Sequence, residues 1–319
     1  MTSHAPKTSL EFRGSPLIIG EVLLDHFPDG RSILGGAPFN VAWNLQGLGR
    51  KPTFVSSVGD DPEGKQIRER MADWGMKLDG LQTNPQHQTG AVQVTLENGQ
   101  PSYDIVYPRA YDFIEPPPLS SATAGIGGQG TDAALSIDDE HSIFYHGTLA
   151  WRAPQTRDTL KYWMANSTAS RFVDINIREP WFDPQWLPEL LSGADFIKLN
   201  DEELAGISGM SCSSDDDVRR AVEKISSQYG SSAVYFITCG SRGAYAITHD
   251  RAFFAAAPKP ESLVDTVGAG DGFAAATIDG ILAGISYQQV IERAVRFAAR
   301  ICGLRGATTT DESVYELDE

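Results

Sequence analysis

Apolar residues recur along this chain with two alternating periods. Residues 17–24 form an apolar run of strand length, and residues 38–48 carry apolar side chains at the spacing of a core-facing helix. Residues 53–58 read as strand and 64–74 as helix. The rhythm then changes. Residues 91–96 and 103–106 alternate apolar and polar around Glu97-Asn98-Gly99-Gln100, and Asn98-Gly99 is a strong signal for a short hairpin. After residue 140 strand and helix alternate again, over 143–146, 157–165, 172–175, 196–198, 218–229, 233–238 and 243–248. Repeated βα units predict an α/β fold, with a mainly parallel sheet covered by helices on both faces. The hairpin, with segments from 21–34, predicts a small second sheet outside that body.

One stretch breaks the pattern. Pro116-Pro117-Pro118 and the Ser-, Thr-, Ala-, Gly- and Asp-rich residues up to 140 predict a long surface loop. Within it, Gly125-Ile126-Gly127-Gly128-Gln129-Gly130 follows no strand and opens no helix, so it reads as loop rather than as a nucleotide-binding turn.

Composition narrows the function classes. A chain of 319 residues with 41% hydrophobic content can bury a large core. No apolar run reaches membrane-spanning length, and the polar residues 1–10 lack the apolar centre of a signal peptide. Cys212, Cys239 and Cys302 are far apart, implying neither a disulfide framework nor a zinc site, so a reducing cytoplasm is expected. The six histidines lack metal spacing, and His146 beside Tyr145 reads as a near-core residue. A net charge of −16 disfavours nucleic acid and anionic membranes as partners.

The most informative stretch is Asp265-Thr266-Val267-Gly268-Ala269-Gly270-Asp271, which runs into Gly272-Phe273-Ala274-Ala275-Ala276-Thr277-Ile278, the opening of an apolar helix. Small residues at a helix start let the first free N–H groups converge, and the helix dipole adds positive potential there. Such a spot suits a phosphate or the charge that develops during phosphoryl transfer. Asp271 would repel a merely bound phosphate, but it fits as a base for a hydroxyl attacking phosphorus. A glycine-rich loop with Asp271 as a helix cap is the other reading of these residues.

A second stretch, Gly35-Gly36-Ala37-Pro38-Phe39-Asn40-Val41-Ala42-Trp43-Asn44-Leu45-Gln46-Gly47-Leu48-Gly49, resembles the N-terminal signature of the ribokinase-like (PfkB) carbohydrate kinases. The 265–271 run resembles their C-terminal signature. Gly20-Glu21 with Asp25, Asp174-Ile175-Asn176-Ile177-Arg178, Lys198-Leu199-Asn200-Asp201-Glu202-Glu203-Leu204 and Thr238-Cys239-Gly240-Ser241-Arg242-Gly243-Ala244 fall between them in the family's order. The similarity covers residues 17–307 and is greatest to fructokinases. It implies one kinase domain over 1–319, a three-layer αβα body with a small β-sheet lid. The lid strands come from about 21–36 and 90–108, and the lid is a surface through which two copies could pair.

The resemblance also implies roles. Asp271 is the base, with the amides of Gly268, Ala269 and Gly270 stabilising transferred charge. Asp25, Gly35, Gly36 and Asn40 contact the sugar, and Arg109 and Arg178 bind near it or its phosphate. Asn200, Thr238, Gly240, Ser241 and Gly243 meet ATP, and Glu203 orders water around Mg²⁺. Thr308-Thr309-Thr310 replaces the family's usual continuation after Gly306-Ala307, which leaves K⁺ activation open, although the carbonyl positions of Asp265 and Val267 survive. The expected activity is transfer of the γ-phosphoryl group of ATP to a primary hydroxyl of D-fructose. A 2-keto-3-deoxygluconate kinase, a ribokinase, a nucleoside kinase and an inactive sugar sensor are the alternatives.

Overall fold

The computed structural model describes residues 14–97, 100–116, 141–259 and 262–317. The expected Asn98-Gly99 turn, the 117–140 loop with its Gly125–Gly130 run, and the polar N-terminus lie outside those residues.

The chain begins with β1 (Ser15–Ile19), β2 (Leu23–His26), β3 (Ser32–Gly35), α1 (Ala37–Gly47), β4 (Thr53–Gly59) and α2 (Pro62–Asp73). Then follow β5 (Leu81–Asn84), β6 (Gly90–Glu97), β7 (Gln100–Ile105), β8 (His141–Gly147), α3 (Pro154–Asn166) and β9 (Ser170–Asp174). Next are α4 (Leu187–Leu191), β10 (Phe196–Asn200), α5 (Asp201–Ser208), α6 (Asp215–Tyr229) and β11 (Val234–Thr238). β12 (Gly243–Ile247), β13 (Ala252–Ala256), α7 (Ala269–Ala283) and α8 (Tyr287–Ile301) complete it.

Nine strands form the main sheet in the order β13-β12-β11-β10-β9-β8-β1-β4-β5. It is parallel except around β12, which runs antiparallel to both neighbours. Because side chains alternate across a strand, each central strand feeds two cores. Ile18, Tyr145, Phe172, Phe196 and Phe236 face the layer built by α1, α2, α7 and α8. Leu17, Ile19, Phe144, Val173, Ile197 and Ile237 face the layer built by α3 to α6. The expected three-layer arrangement is therefore present. Among the described residues no helix is long and apolar enough to cross a membrane.

The four-stranded second sheet, β3-β2-β6-β7, changes one sequence reading. Residues 17–24 are not one strand. The chain leaves the main sheet at Gly20, where a Cβ would lie 2.4 Å from Pro38 Cγ, and re-enters extended structure as β2. Asp25 thus sits inside the small sheet, opposite Ile33 and Val92. The sequence reading also left out β5, β13 and α8, although Val290, Ile291, Ala294, Phe297 and Ile301 give α8 a continuous buried stripe.

Candidate active site

The C-terminal ends of the central parallel strands, the start of α7 and the small sheet meet around Asp271. Gly268 caps α7 in the left-handed region at φ 81, and a Cβ there would lie 2.2 Å from Ala307 Cβ. Only glycine fits this turn. Among the described residues the amides of Gly270 and Asp271 have no acceptor, whereas the Ala269 amide makes a long 3.3 Å bond to the Thr266 carbonyl. The Gly268 amide has no acceptor among them either, so two of the expected donors, Gly268 and Gly270, are free and the Asp271 amide joins them in the first turn.

Asp271 is 9% exposed and packs against α1. Its Oδ2 accepts a 2.8 Å bond from Asn40 Nδ2, while Oδ1 has no partner among the described residues. Asn44 holds this register by donating to the Asn40 carbonyl at 2.9 Å and the Ala307 carbonyl at 3.3 Å. Burial raises the Asp271 carboxyl above the usual carboxylate range, opposed by the Asn40 bond and by the charges of Lys198 and Arg178.

Beneath this turn lies an ion pair to which the sequence reading gave no role. Lys198 Nζ, on β10, is 2.9 Å from both oxygens of Asp174 on β9, and Tyr145 donates to Asp174 Oδ2 at 3.1 Å. Both side chains are buried, and a Cβ on Gly270 would lie 3.5 Å from Lys198 Nζ. Burial alone would lower the Lys198 pKa, but Asp174, Glu203 and Asp271 more than offset it and keep the ammonium charged. The anion cradle therefore has a fixed cation under it.

Glu203 and Asn200 form a capping box at the start of α5: Asn200 Oδ1 accepts from the Glu203 amide at 2.7 Å, and Glu203 Oε2 from the Asn200 amide at 2.8 Å. Glu203 Oε1 also accepts from the Ile177 amide at 2.8 Å, tying α5 to the segment after β9. Burial pushes the Glu203 carboxyl up, against the pull of Lys198 and these amides. Thr238 ends β11, and Gly240 and Ser241 form an exposed turn beside it. Gly243 serves packing: a Cβ there would lie 2.0 Å from the Ala255 carbonyl oxygen. Asp265 Oδ1 accepts from the Val267 amide at 3.0 Å and Oδ2 from the Gly306 amide at 3.4 Å.

On the small sheet, the pleat puts Asp25 on the same face as Ile33 and Val92. Its carboxyl is pushed up to about 6 by burial, with His26 opposing. A Cβ on Gly35 would lie 3.8 Å from Asp25 Oδ2, and Gly36 turns at φ 109 into α1.

The two arginines are separated. Arg178 is exposed and bonds its own neighbour's carbonyl (Ile177, 3.1 Å), yet its charge acts on Glu21 and Asp271. It follows Asn176, held in the left-handed region at φ 31. Arg109 donates to Gln88 and lines a cavity of about 410 Å³ with His26, Asp61 and Gln93. His26 and Gln93 lie on the sheet face opposite Asp25, so the structure does not bring Arg109 to Asp271.

Glu21 is the clearest omission. It links β1 to β2, is 5% exposed, and Oε1 accepts from the Ala37 amide at 3.2 Å. Burial pushes its carboxyl up to about 7, opposed by its own amide and Arg178 and reinforced by Asp271. Its signal was present in Gly20-Glu21, but a lone acid between apolar residues does not show that it will be buried.

Residues 15–121 and 142–313 match the model of the pfkB family of carbohydrate kinases. The chain belongs to that family. This pfkB carbohydrate kinase is 30% identical over 313 residues to a fructokinase from Klebsiella pneumoniae, covering 92% of this chain and 94% of that one. Its fold is shared with a fructokinase from Vibrio cholerae O395 solved with fructose, ADP and calcium ion, at TM-score 0.71 and 23% identity over 96% and 99% of the two chains. A Pyrococcus horikoshii sugar kinase solved with ATP superposes at TM-score 0.71 and 24% identity over 91% and 93%.

Proposed function

We propose that this kinase transfers the γ-phosphoryl group of ATP to a primary hydroxyl of D-fructose. The observation that carries the reading is Asp271: one oxygen is fixed by Asn40 at 2.8 Å, the other is open, and the free amides of the first turn of α7 stand beside it. The substrate hydroxyl gives its proton to Asp271 as its oxygen bonds to the γ-phosphorus. The bond to the β,γ-bridging oxygen breaks and ADP leaves. The Gly270 and Asp271 amides, with Lys198 below, oppose the charge on the transferring group. An inactive sugar sensor would not need a buried base with an open oxygen over an anion cradle.

Magnesium, when bound with ATP, would neutralise phosphate charge. Both Glu203 oxygens already accept backbone N–H groups, and no three His, Cys, Asp or Glu side chains cluster among the described residues. That set suits a metal held through water and by the phosphates, with Glu203 ordering the water. The carbonyls of Asp265 and Val267 accept no backbone N–H among the described residues, which leaves them free to bind K⁺. Asn200, Thr238, Gly240 and Ser241 are assigned to the ATP side. Asp25, Gly35, Gly36 and Asn40 are assigned to the sugar, with the small sheet as lid. Its three free cysteines suit a reducing compartment, and the kinase is assigned to the cytoplasm.

Fructose is favoured by the relatives named fructokinase and by a polar sugar side offering Asp25, Asn40 and Glu21 for neutral hydroxyls. A sugar acid such as 2-keto-3-deoxygluconate is the second reading, favoured by Arg178, whose guanidinium has no carboxylate within ion-pair distance among the described residues. The test is competition: equal fructose, ribose and 2-keto-3-deoxygluconate with limiting ATP, products resolved by mass. Fructose phosphate is expected to dominate. A dominant sugar-acid phosphate would transfer the assignment to the second reading.

A further inference from the structure

Residues 302–311 belong to no helix or strand, yet they press on the turn that carries Asp271. They include Thr308-Thr309-Thr310, where the chain departs from its family's usual continuation. Three contacts join them to the turn. A Cβ on Gly268 would lie 2.2 Å from Ala307 Cβ and 2.5 Å from Ala307 Cα, so the Gly268 backbone rests directly on Ala307. The Gly306 amide donates to Asp265 Oδ2 at 3.4 Å, at the other end of the turn. Asn44 donates to the Ala307 carbonyl at 3.3 Å and to the Asn40 carbonyl at 2.9 Å, and Asn40 in turn holds Asp271 at 2.8 Å. A displacement of residues 306–307 is therefore felt both by the free amides and by the base.

One carbonyl fixes this irregular stretch. Thr309 O accepts at 2.8 Å from Trp43 Nε1, on α1, and at 3.0 Å from the Tyr315 hydroxyl, in the turn Glu312–Tyr315. Both donors are buried and held in turn. Trp43 stacks on Trp74 with ring centroids 5.5 Å and planes 9° apart. The Tyr315 ring lies 5.8 Å from both Trp74 and Phe297, and a Cβ on Gly47 would come within 2.5 Å of it. Anchoring the tail does not need the two hydrogen bonds, because the Tyr315 ring would pack the same way without its hydroxyl. Two donors from separate segments on one carbonyl use both its lone pairs and fix a peptide plane. That plane lies close along the chain to Ala307, on which Gly268 rests.

We infer that Trp43 and Tyr315, clasping the Thr309 carbonyl, are positioning residues for phosphoryl transfer. The clasp holds residues 306–309 so that the Gly268 turn and the Asn40–Asp271 pair keep the geometry the reaction needs. The chemistry remains that of Asp271 and the amides, and the clasp sets where they stand. A shift of about 1 Å in such a site can cost about a hundredfold in rate. Binding tolerates such a shift better than the chemical step does, so loss of the clasp lowers kcat more than it raises KM. The inference rests on the sugar-kinase reading above.

The test uses the full chain with Trp43→Phe, Tyr315→Phe and the two combined, which keep an aromatic ring at each position and remove the donors. The single-turnover rate, sugar KM and ATP KM are measured with whichever of D-fructose, D-ribose and 2-keto-3-deoxygluconate the wild type phosphorylates fastest. In the combined variant the rate should fall about tenfold or more, with both KM values within about threefold. Tyr315→Phe alone, the milder change, should lower it about threefold. Asn44→Ala cuts the link between Ala307 and Asn40; it should lower the rate by itself and leave less than about a threefold further loss for the combined variant to cause. Ile225→Ala, in the core on the other side of the sheet, should lower the urea midpoint without changing the rate, which separates positioning from stability. A rate within about twofold of wild type in the folded combined variant would overturn the clasp and leave the kinase reading standing. Full multiplication of its effect with that of Asn44→Ala, or an equal rate loss in Ile225→Ala, would do the same. Absence of sugar phosphorylation by the wild type would overturn the kinase reading, and the clasp with it.

Discussion

Replacing Glu21 with glutamine should stabilise the protein above neutral pH. Burial moves this carboxyl from 4.5 to about 7, so the folded state resists its ionisation. The stabilising contribution of a raised carboxyl is fully present below 4.5 and is lost as pH rises through about 7. At 1.36 kcal/mol per pKa unit the full difference is about 3 kcal/mol, an upper figure because the nearby Asp271 carboxyl is coupled to it. Glutamine keeps the acceptor that the Ala37 amide needs and carries no charge to bury. The gain of Glu21→Gln over wild type should therefore grow by about 2–3 kcal/mol between pH 5 and pH 8. Urea unfolding of both proteins at several pH values measures this, and comparing variants cancels the same-sign contribution of Asp25. A gain that is flat to within about 0.5 kcal/mol over that range would refute the buried, charge-disfavouring site. Selection for the acid despite this cost is expected where it serves binding.

Two further outcomes follow from the site. Lys198→Met leaves Asp174 as an uncompensated buried charge and should cost about 3–5 kcal/mol in urea unfolding; Asp174→Asn in the same chain should recover much of it, and a loss below about 1 kcal/mol would contradict the pair's role. Glu203→Ala removes half of a capping box, costing about 0.5–2 kcal/mol, and should raise the Mg²⁺ concentration needed for half-maximal turnover, whereas an unchanged metal titration would free Glu203 from that role.

The parts of this protein that were readable in sequence are those whose signal is local. The alternation of βα units gave the body because each strand and helix announces its own period. Gly268 to Asp271 announced a helix start because small residues and a carboxylate have few other reasons to sit together there. What failed to show depends on contacts between distant segments. Residues 17–24 read as one strand because nothing in them reveals that Gly20 packs on Pro38 and diverts the chain. Lys198 and Asp174 carried no visible role until adjacent parallel strands placed them 2.9 Å apart. Arg109 looked like an active-site arginine by position, yet the pleat carries its neighbours His26 and Gln93 to the far face of the small sheet. β12 and β13 escaped the parallel pattern because direction of pairing is not written in a single strand.

The central claim is that Asp271 takes the proton from the acceptor hydroxyl. Single-turnover phosphorylation of fructose by Asp271→Asn, with saturating ATP and Mg²⁺, tests it most directly. The side chain keeps its size and an acceptor for Asn40, so ATP affinity should change little, while the rate constant should fall about a hundredfold or more. A rate constant within about threefold of wild type would show that the hydroxyl is activated without this carboxylate and would contradict the account.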